Sequence, residues 1–322
     1  MKVRVETAAR LHMGFVDLHG GLGRRFGSIG VGLQEPRLIL EARASAKLTA
    51  EGPSADRAID FADCFYRHHE GQLAGEPSGA HLRVIEAIPA HVGLGSGTQL
   101  ALAVGIALAR LHGIEADAVD IAHLMGRGRR SSIGIGSFQG GGFLLDGGRP
   151  LDGNQVAPII VRRQLPPDWL FLIATPSVSP GLSGDTEDRA FVDLIRPSEE
   201  QAGQIARLLV MKMLPALARN DVGRFGSALT DIQRLVGDTF AAVQGGRFAN
   251  DTSGRLIAYL LENGACGAGQ SSWGPTVYAL VSGERMAREL EQKLRAFPGG
   301  NEMAVHVSAA SDRGAVVVQG DS

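Results

Sequence analysis

Three glycines and two hydroxyl residues alternate in the letters GLGSGT, directly before an apolar run with helical spacing. Gly93, Gly95 and Gly97 can adopt positive φ angles and leave room for a ligand to approach the backbone. Successive N–H groups in such a turn form a concave anion site, and the positive end of the following helix points at the same place. Ser96 and Thr98 add hydroxyls that can cap the helix or bind a metal ion. The segment therefore predicts a phosphate- or diphosphate-binding loop, with an ordinary glycine-rich turn as the alternative interpretation.

Two well-known nucleotide-binding loops do not match this segment. A Walker A loop requires G-x-x-x-x-G-K-[ST], whereas the segment contains no lysine and Gln99 follows its last hydroxyl. The dinucleotide fingerprint requires G-x-G-x-x-G, whereas the glycines here follow G-x-G-x-G. The loop chemistry by itself therefore predicts a phosphate ligand without specifying a nucleotide.

Composition excludes several classes of protein. The net charge is −2 at pH 7 and the 32 basic residues are scattered, so no footprint of nucleic-acid or membrane binding appears. Cys64 and Cys266 are too few for a disulfide framework, which favours a reducing compartment. The N-terminus has no apolar targeting segment, and no run approaches membrane-spanning length. We expect a cytoplasmic protein that binds neither nucleic acid nor membrane.

Periodicity predicts helices and strands in a mixed order along the 322 residues. Helices are expected over residues 58–70, from about residue 98, at DAVDIAHLMGR, over 199–243 with a break near 220, and at ERMARELEQKLRAF. Strands are expected at KVRVETAAR, RLILEAR, HLRVIEAI, GGFLLDGG, NQVAPIIVRRQL, DWLFLIATPS, TVYALVSG, EMAVHVSA and GAVVVQG. This order indicates an α+β fold, which we divide into residues 1–165, carrying the phosphate-binding loop, and residues 166–322.

Three motifs, taken in order along the chain, resemble the signatures of the GHMP kinase superfamily. The segment Pro89–Leu102 resembles its central phosphate-binding motif, P-x-x-x-G-L-G-S-S-A. The segment Ala8–Gly21 is similar to its N-terminal substrate motif, with Arg10 and Asp17 in matching places, and Gly264–Val281 is similar to its C-terminal glycine-rich loop. The resemblance implies an N-terminal domain like domain 2 of ribosomal protein S5 and a C-terminal ferredoxin-like domain.

The resemblance also implies roles for particular residues of this chain. It assigns catalytic contacts to Arg10, His12 and Asp17; phosphate binding to Gly93, Leu94, Gly95, Ser96, Gly97, Thr98, Arg127, Gly267 and Gly269; and metal binding to Ser96, Thr98 and Glu187. Simpler roles stay open for some of them. Asp17 can cap a turn, Glu187 can cap the next helix, and Arg127, in a run with Arg129 and Arg130, can belong to a solvated face.

One departure from the kinases bears on the reaction. Many kinases of this superfamily carry an Asp that acts as base in the glycine-rich segment after the second helix, but the corresponding region near Phe138 and Gln139 has no carboxylate. Gln cannot accept a proton at neutral pH. The letters SSIGIGSF, RLHMGFVDLHG and GLSGDTEDRAF instead resemble the β-ribofuranosylaminobenzene 5′-phosphate synthases, GHMP-fold enzymes of methanopterin biosynthesis.

This second resemblance implies a reaction without phosphoryl transfer. Phosphoribosyl diphosphate condenses with 4-hydroxybenzoate or 4-aminobenzoate, and carbon dioxide and diphosphate are released, with Mg²⁺ (magnesium) as the cofactor. We expect these two small molecules as partners and a homodimer as the assembly. Two alternatives are an ATP-dependent GHMP-family small-molecule kinase, which the missing Asp disfavours, and a non-catalytic binding protein of the same fold, in which the phosphate loops should have eroded.

Overall fold

The computed structural model describes residues 1–73, 79–177, 191, 194 and 196–320. The predicted metal ligand Glu187 and most of the segment GLSGDTEDRAF lie outside these ranges. Within them, every helix is too short or too polar to cross a lipid bilayer.

An eight-stranded sheet forms the first layer of the fold. Its strands are β1 (Lys2–Asp17), β2 (Arg24–Ser45), β3 (Thr49–Glu51), β4 (Gly79–Glu86), β5 (Phe143–Asp146), β6 (Arg149–Pro150), β7 (Ile159–Arg163) and β12 (Val316–Gly320). The main path of the sheet follows the order β12-β1-β2-β4-β3. In addition, β5 and β6 pair with β2, and β7 pairs with β5. Strand β1 extends beyond the predicted KVRVETAAR, so the whole N-terminal motif as far as residue 17 lies on a strand.

Two irregularities interrupt the pairing of β1 with β2, one between Ala8 and Arg10 and one between His12 and Gly14. A β-bulge changes the direction in which the neighbouring side chains point, and bulges are common beside active sites. The short stretch between them carries Arg10 and His12, the two residues that the N-terminal motif singles out.

The helices described in the first half of the chain are α1 (Ala55–His69), α2 (Ser96–Leu111), α3 (Ala118–Leu124) and α4 (Ile133–Gly140). Helices α1, α2 and α4 pack on strands of this sheet. Helix α2 contacts the other three helices and strands β1 and β2. Every residue of α2 from Gln99 to Ala109 is buried, which fits the apolar run after the glycine-rich loop. Because burial on all sides fixes this helix in the core, its N-terminus is a rigid platform for the loop in front of it.

The second layer is a four-stranded antiparallel sheet covered by helices. Its strands are β8 (Trp169–Thr175), β9 (Gly267–Gln270), β10 (Val277–Ser282) and β11 (Ala304–Ala309), in the order β11-β8-β10-β9. The helices are α5 (Glu199–Leu208), which continues through a π-helical turn (Leu209–Met213) into α6 (Leu214–Ala218), then α7 (Val222–Gln244), α8 (Asp251–Glu262), α9 (Glu284–Arg295) and a short 3₁₀ helix (Gly300–Glu302).

The last strand crosses from the second half of the chain to the first sheet. Residues 316–320 of β12 pair antiparallel with residues 2–6 of β1. The division into residues 1–165 and 166–322 stays a prediction, and β12 is a part of the second range that belongs to the first sheet.

Candidate active site

The GLGSGT segment is the turn that begins helix α2. Gly93 and Gly95 have φ angles of 93° and 82°, and Gly95 is the N-cap residue of the helix. The amides of Thr98 and Gln99 both donate to the carbonyl of Gly95 at 3.1 Å. The amides that precede them have no helical carbonyl to bond, because an α-helix leaves its first N–H groups unsatisfied. The turn therefore presents free N–H donors at the positive end of a buried helix, as the sequence predicts.

A turn of the C-terminal motif braces this loop from behind. The hydroxyl of Ser271 donates to the Gly93 carbonyl at 2.8 Å. A Cβ atom on Gly93 would overlap the Ser271 carbonyl oxygen, and a Cβ atom on Gly274 would overlap the carbonyl of Val92. Because only glycine backbones allow this close approach, the backbone contact and the Ser271 hydroxyl together fix the loop.

Arg10 lies across the loop. Its backbone N–H donates to the Leu94 carbonyl at 3.1 Å, and its Nη1 donates to the Gly93 carbonyl at 2.6 Å. A Cβ atom on Gly95 would lie 3.1 Å from Cγ and Nε of Arg10. The guanidinium therefore sits at the mouth of the anion turn, where it adds a fixed positive charge.

Two further guanidiniums reach the first turn of α2, next to Gly97. A Cβ atom on Gly97 would lie 3.0 Å from Nη2 of Arg57 and 3.6 Å from Nη1 of Arg127. Arg127 is one of the predicted phosphate contacts, and the structure brings it to the loop. Sequence reasoning missed Arg57, because it belongs to α1 and lies in none of the three motifs.

His12 is buried, and its Nε2 lacks a hydrogen-bond partner in the described part of the chain. Its backbone is held by the C-terminal motif, since its N–H donates to Ser271 Oγ at 3.1 Å and its carbonyl accepts from Ser272 N–H at 3.2 Å. Burial, followed by the charges of Arg10 and Arg130, lowers the pKa of His12 to about 3. The imidazole is therefore neutral at physiological pH.

An aromatic cluster continues from His12 away from the loop. His12 contacts Phe15 with 4.7 Å between ring centroids and the rings tilted by 59°, and the guanidinium of Arg130 lies 4.4 Å from the centroid of Phe191. The cluster is formed by Phe15, Phe26, Phe191, Phe240 and Trp273. A cavity of about 40 Å³ borders His12 and Trp273 and is also lined by Gln233 and Gln270. The region has cations at its loop end and aromatic rings at its other end, and this combination suits a flat anionic molecule.

The described contacts of Gly267 and Gly269 are with helix α7, and their phosphate-binding role stays a prediction. Both belong to β9, where a Cβ atom on Gly267 would overlap Gly226 of α7 and one on Gly269 would lie 2.5 Å from Gln233 Cγ. They are glycines because helix α7 packs directly on the backbone of this strand. In the same motif, Ser271 and Gly274 make the contact with the loop.

Asp17 closes a turn at the end of β1. Its Oδ1 accepts hydrogen bonds from the N–H groups of His19 and Gly20, both at 2.8 Å. Asp17 follows Arg10 by seven positions, which corresponds to about 23 Å along β1. The described contacts give Asp17 the turn-capping role that the sequence left open, and its catalytic role stays a prediction.

Gln139 does not occupy the position that faces the loop, which corrects the expectation for that segment. The segment forms α4, and Gln139 is exposed at its C-terminal end, where its backbone contacts Gly314. Gly134, about 7 Å back along the helix, faces α2 instead, and a Cβ atom there would lie 3.0 Å from Thr98 Cγ2. Gly134 thus packs on the first turn of α2, and α4, with the sequence IGIGSFQG, supplies no carboxylate.

The predicted Mg²⁺ ligands Ser96 and Thr98 are half-buried on the first turn of α2. In the described part of the chain, no group of three or more His, Cys, Asp or Glu side chains is arranged to hold a metal ion. Hydroxyl oxygens suit Mg²⁺, which usually keeps several waters and takes further oxygens from a phosphate ligand. The loop residues fit an ion that arrives with a diphosphate rather than one held by a protein cage.

The fold and the loop define a protein of the GHMP kinase class. Residues 57–142 match the GHMP kinases N-terminal domain, and residues 213–299 match the GHMP kinases C-terminal domain. Homoserine kinase from Cytophaga hutchinsonii superposes with a TM-score of 0.67 at 18% identity, covering 98% of this chain and 97% of that one. A mevalonate 5-diphosphate decarboxylase superposes with a TM-score of 0.65 at 13% identity, covering 99% and 97%. The predicted α+β fold is confirmed.

Sequence relatives narrow the class further. A β-ribofuranosylphenol 5′-phosphate synthase of Archaeoglobus fulgidus is 34% identical over 326 residues, covering 97% of this chain and 98% of that protein. The enzyme of the same name from Methanothermobacter thermautotrophicus is 32% identical over 306 residues, covering 86% and 88%. The chain belongs to the β-ribofuranosylphenol 5′-phosphate synthase family. The prediction of an enzyme of this family, rather than a kinase, is confirmed.

Gly95→Ala tests the anion turn. The change strains a residue at φ 82° and places a methyl group 3.1 Å from the Arg10 side chain, and such strain costs about 1–3 kcal/mol. We expect kcat/KM for phosphoribosyl diphosphate to fall at least about tenfold. Gly113→Ala is the matched control, because Gly113 also has positive φ, at 66°, but lies in open space beyond the other end of α2. Equal turnover by the two variants would place the anion site elsewhere.

His12→Asn tests the neutral buried imidazole. Because the folded-state pKa of about 3 lies below the ordinary value of 6.5, the unfolded chain takes up the proton first. Stability is therefore lost as the pH falls from about 6.5 towards 3. We expect His12 to account for about 2 kcal/mol of the fall in the free energy of unfolding between pH 7.5 and 5. Urea unfolding at both pH values should show a shallower fall for His12→Asn, and no such change for the exposed control His68→Asn. If the free energy of unfolding of His12→Asn fell as steeply with pH as that of the wild type, His12 would have to be charged in the folded protein.

Proposed function

We propose that this chain joins phosphoribosyl diphosphate to 4-hydroxybenzoate through a carbon–carbon bond, with release of carbon dioxide and diphosphate, in tetrahydromethanopterin biosynthesis. The observation that carries the proposal is the charge of the site. Arg10 lies across the loop, Arg57 and Arg127 lie beside its Gly97, and the described part of α4 offers no carboxylate to act as base. Such a site stabilises a departing polyanion better than it activates a hydroxyl nucleophile.

The bond that breaks joins the anomeric carbon of the ribose to the diphosphate oxygen. The electron pair leaves on that oxygen, so negative charge grows on the diphosphate as positive charge develops on the sugar. The amides at the start of α2 and the guanidinium of Arg10 are fixed before the reaction, because the loop is held by Ser271 and Gly274. Donors that need no reorganisation stabilise the leaving group more strongly than water does.

The acceptor is proposed to lie against the aromatic cluster beside His12. Its carboxylate would face Arg130, and its ring would pack against the aromatic side chains. The cavity next to His12 has room for a hydroxyl group or a water molecule but not for a ring, so only the para substituent is assigned to it. The named relatives carry "phenol" in their names, and a phenol product corresponds to 4-hydroxybenzoate rather than to 4-aminobenzoate.

The ring carbon that bears the carboxylate attacks the anomeric carbon and forms the new bond. The bond from that ring carbon to the carboxylate then breaks, its electron pair restores the aromatic ring, and the carboxylate leaves as carbon dioxide. No proton has to be removed from the attacking carbon. A neutral His12, whose pKa is about 3, is therefore compatible with the chemistry, whereas it would be a poor general base.

Three further features belong to this proposal. Mg²⁺ would enter with the diphosphate and neutralise part of its charge, with Ser96 and Thr98 as the protein oxygens nearest to it and Glu187 as the proposed carboxylate ligand. The enzyme would act in the cytoplasm. It would assemble as a homodimer.

Carboxyl-labelled 4-hydroxybenzoate tests the reaction directly. Purified protein with phosphoribosyl diphosphate and Mg²⁺ should release labelled carbon dioxide and diphosphate in equal amounts, and ATP should not replace the phosphoribosyl donor. Parallel reactions with 4-aminobenzoate measure the acceptor preference, which we expect to favour the hydroxybenzoate. Consumption of ATP with no release of labelled carbon dioxide would contradict the proposal.

A further inference from the structure

Two arginines from different elements converge on one point beside the anion loop. Arg57 lies in the first turn of α1, and Arg127 follows α3. Both guanidiniums face the position where a side chain of Gly97 would begin, at 3.0 Å and 3.6 Å from its Cβ position. We call this the Arg57–Arg127 pair.

The charge of this pair is poorly compensated by the described residues. Arg127 stacks on the ring of Phe61, with Cζ 5.0 Å from its centroid, and its buried Nε has no hydrogen-bond partner in the described chain. Burial, followed by the charges of Arg57 and Arg129, lowers the pKa of Arg127. Burial also lowers the pKa of Arg57, and Asp60, an exposed residue one turn further along α1, opposes this effect. Two adjacent cations with buried donors are stable together when an anion lies between them.

The pair is distinct from the anion turn that Arg10 completes. Arg10 is bonded to Gly93 and packs on Gly95, whereas Arg57 and Arg127 pack on Gly97. Gly95 is the N-cap residue of α2 and Gly97 lies in its first turn, so the start of this helix carries two cationic contacts at different residues. This arrangement suits a ligand with two separate anionic groups.

We propose that the Arg57–Arg127 pair binds the 5′-phosphate of phosphoribosyl diphosphate, while the loop amides and Arg10 hold its diphosphate. This inference rests on the function proposed above. The direction of binding follows from the acceptor, because the anomeric carbon and its diphosphate must lie next to Arg10, Arg130 and His12, where the ring is placed. The 5′-phosphate, at the opposite end of the ribose, then reaches the pair.

The assignment also accounts for selection of the donor. ATP carries all its phosphates on one end of its ribose and a base on the other, so ATP bound in the orientation proposed for the donor, with its ribose between the two centres, would offer no anion to the pair. Binding ATP would leave the two cations of the pair desolvated and facing a neutral base, which disfavours this ligand without any steric clash. A phosphoribosyl donor satisfies both centres at once.

Arg57→Gln separates the two centres when it is probed with two fragments of the substrate. Ribose 5-phosphate carries only the group assigned to the pair, and inorganic diphosphate carries only the group assigned to the loop. By calorimetry, we expect Arg57→Gln to weaken binding of ribose 5-phosphate by about tenfold or more and that of diphosphate by less than about threefold. Gly95→Ala should show the opposite pattern. The matched control Arg67→Gln removes an exposed arginine from the last turn of the same helix and should change neither affinity.

Arg57→Lys keeps the inference testable if Arg57→Gln does not fold. It retains the charge but not the planar fork of donors, and we expect ribose 5-phosphate to bind with intermediate affinity. Equal weakening of both fragments, or weakening of diphosphate alone, in either variant would overturn the assignment of the pair. Release of carbon dioxide by the wild-type enzyme is measured independently of these binding experiments. Failure of this inference is therefore distinguishable from failure of the proposed function.

Discussion

The close approach of two backbones, Val92–Gly93 and Ser271–Gly274, is the contact on which the site depends. It joins the loop of the first layer to a turn of the second, and each glycine lies where a Cβ atom would overlap a carbonyl of the other segment. Ser271 adds hydrogen bonds both to Gly93 and to the backbone of His12. Because the same turn positions the anion loop and the buried imidazole, the two halves of the fold form one site.

The electrostatics of that site explain why a kinase fold can serve a different reaction. The guanidiniums of Arg10, Arg57 and Arg127 lie around the start of α2, and Gly134 faces the helix where a side chain could have carried a base. A site of this kind favours departure of a polyanion over removal of a proton. The described residues are thus compatible with the proposed reaction, in which carbon dioxide, not a proton, leaves the attacking carbon.

Much of the fold and of the anion loop could be predicted from the sequence, and the features that could not be predicted have physical causes. The loop from Gly93 to Thr98 was predictable, because glycine spacing and an apolar helix are local signals. The packing of Gly267 and Gly269 against α7 could not be predicted, because a glycine required by packing against a helix looks the same in sequence as one required by a ligand. Helix α4 was missed since its glycines have low helix propensity, which close packing overrides. Arg57 was missed because it reaches the loop only through the tertiary fold.

Binding of inorganic diphosphate to Gly274→Ala tests the central claim most directly, because Gly274 lies outside the loop and touches the site only through the backbone contact. Calorimetry should show at least about a tenfold loss of affinity relative to the wild type. Gly203→Ala, in open space on α5, should bind normally, and far-ultraviolet circular dichroism should confirm that both variants are folded. Unchanged diphosphate affinity in a folded Gly274→Ala protein would contradict the claim that this glycine contact builds the anion site.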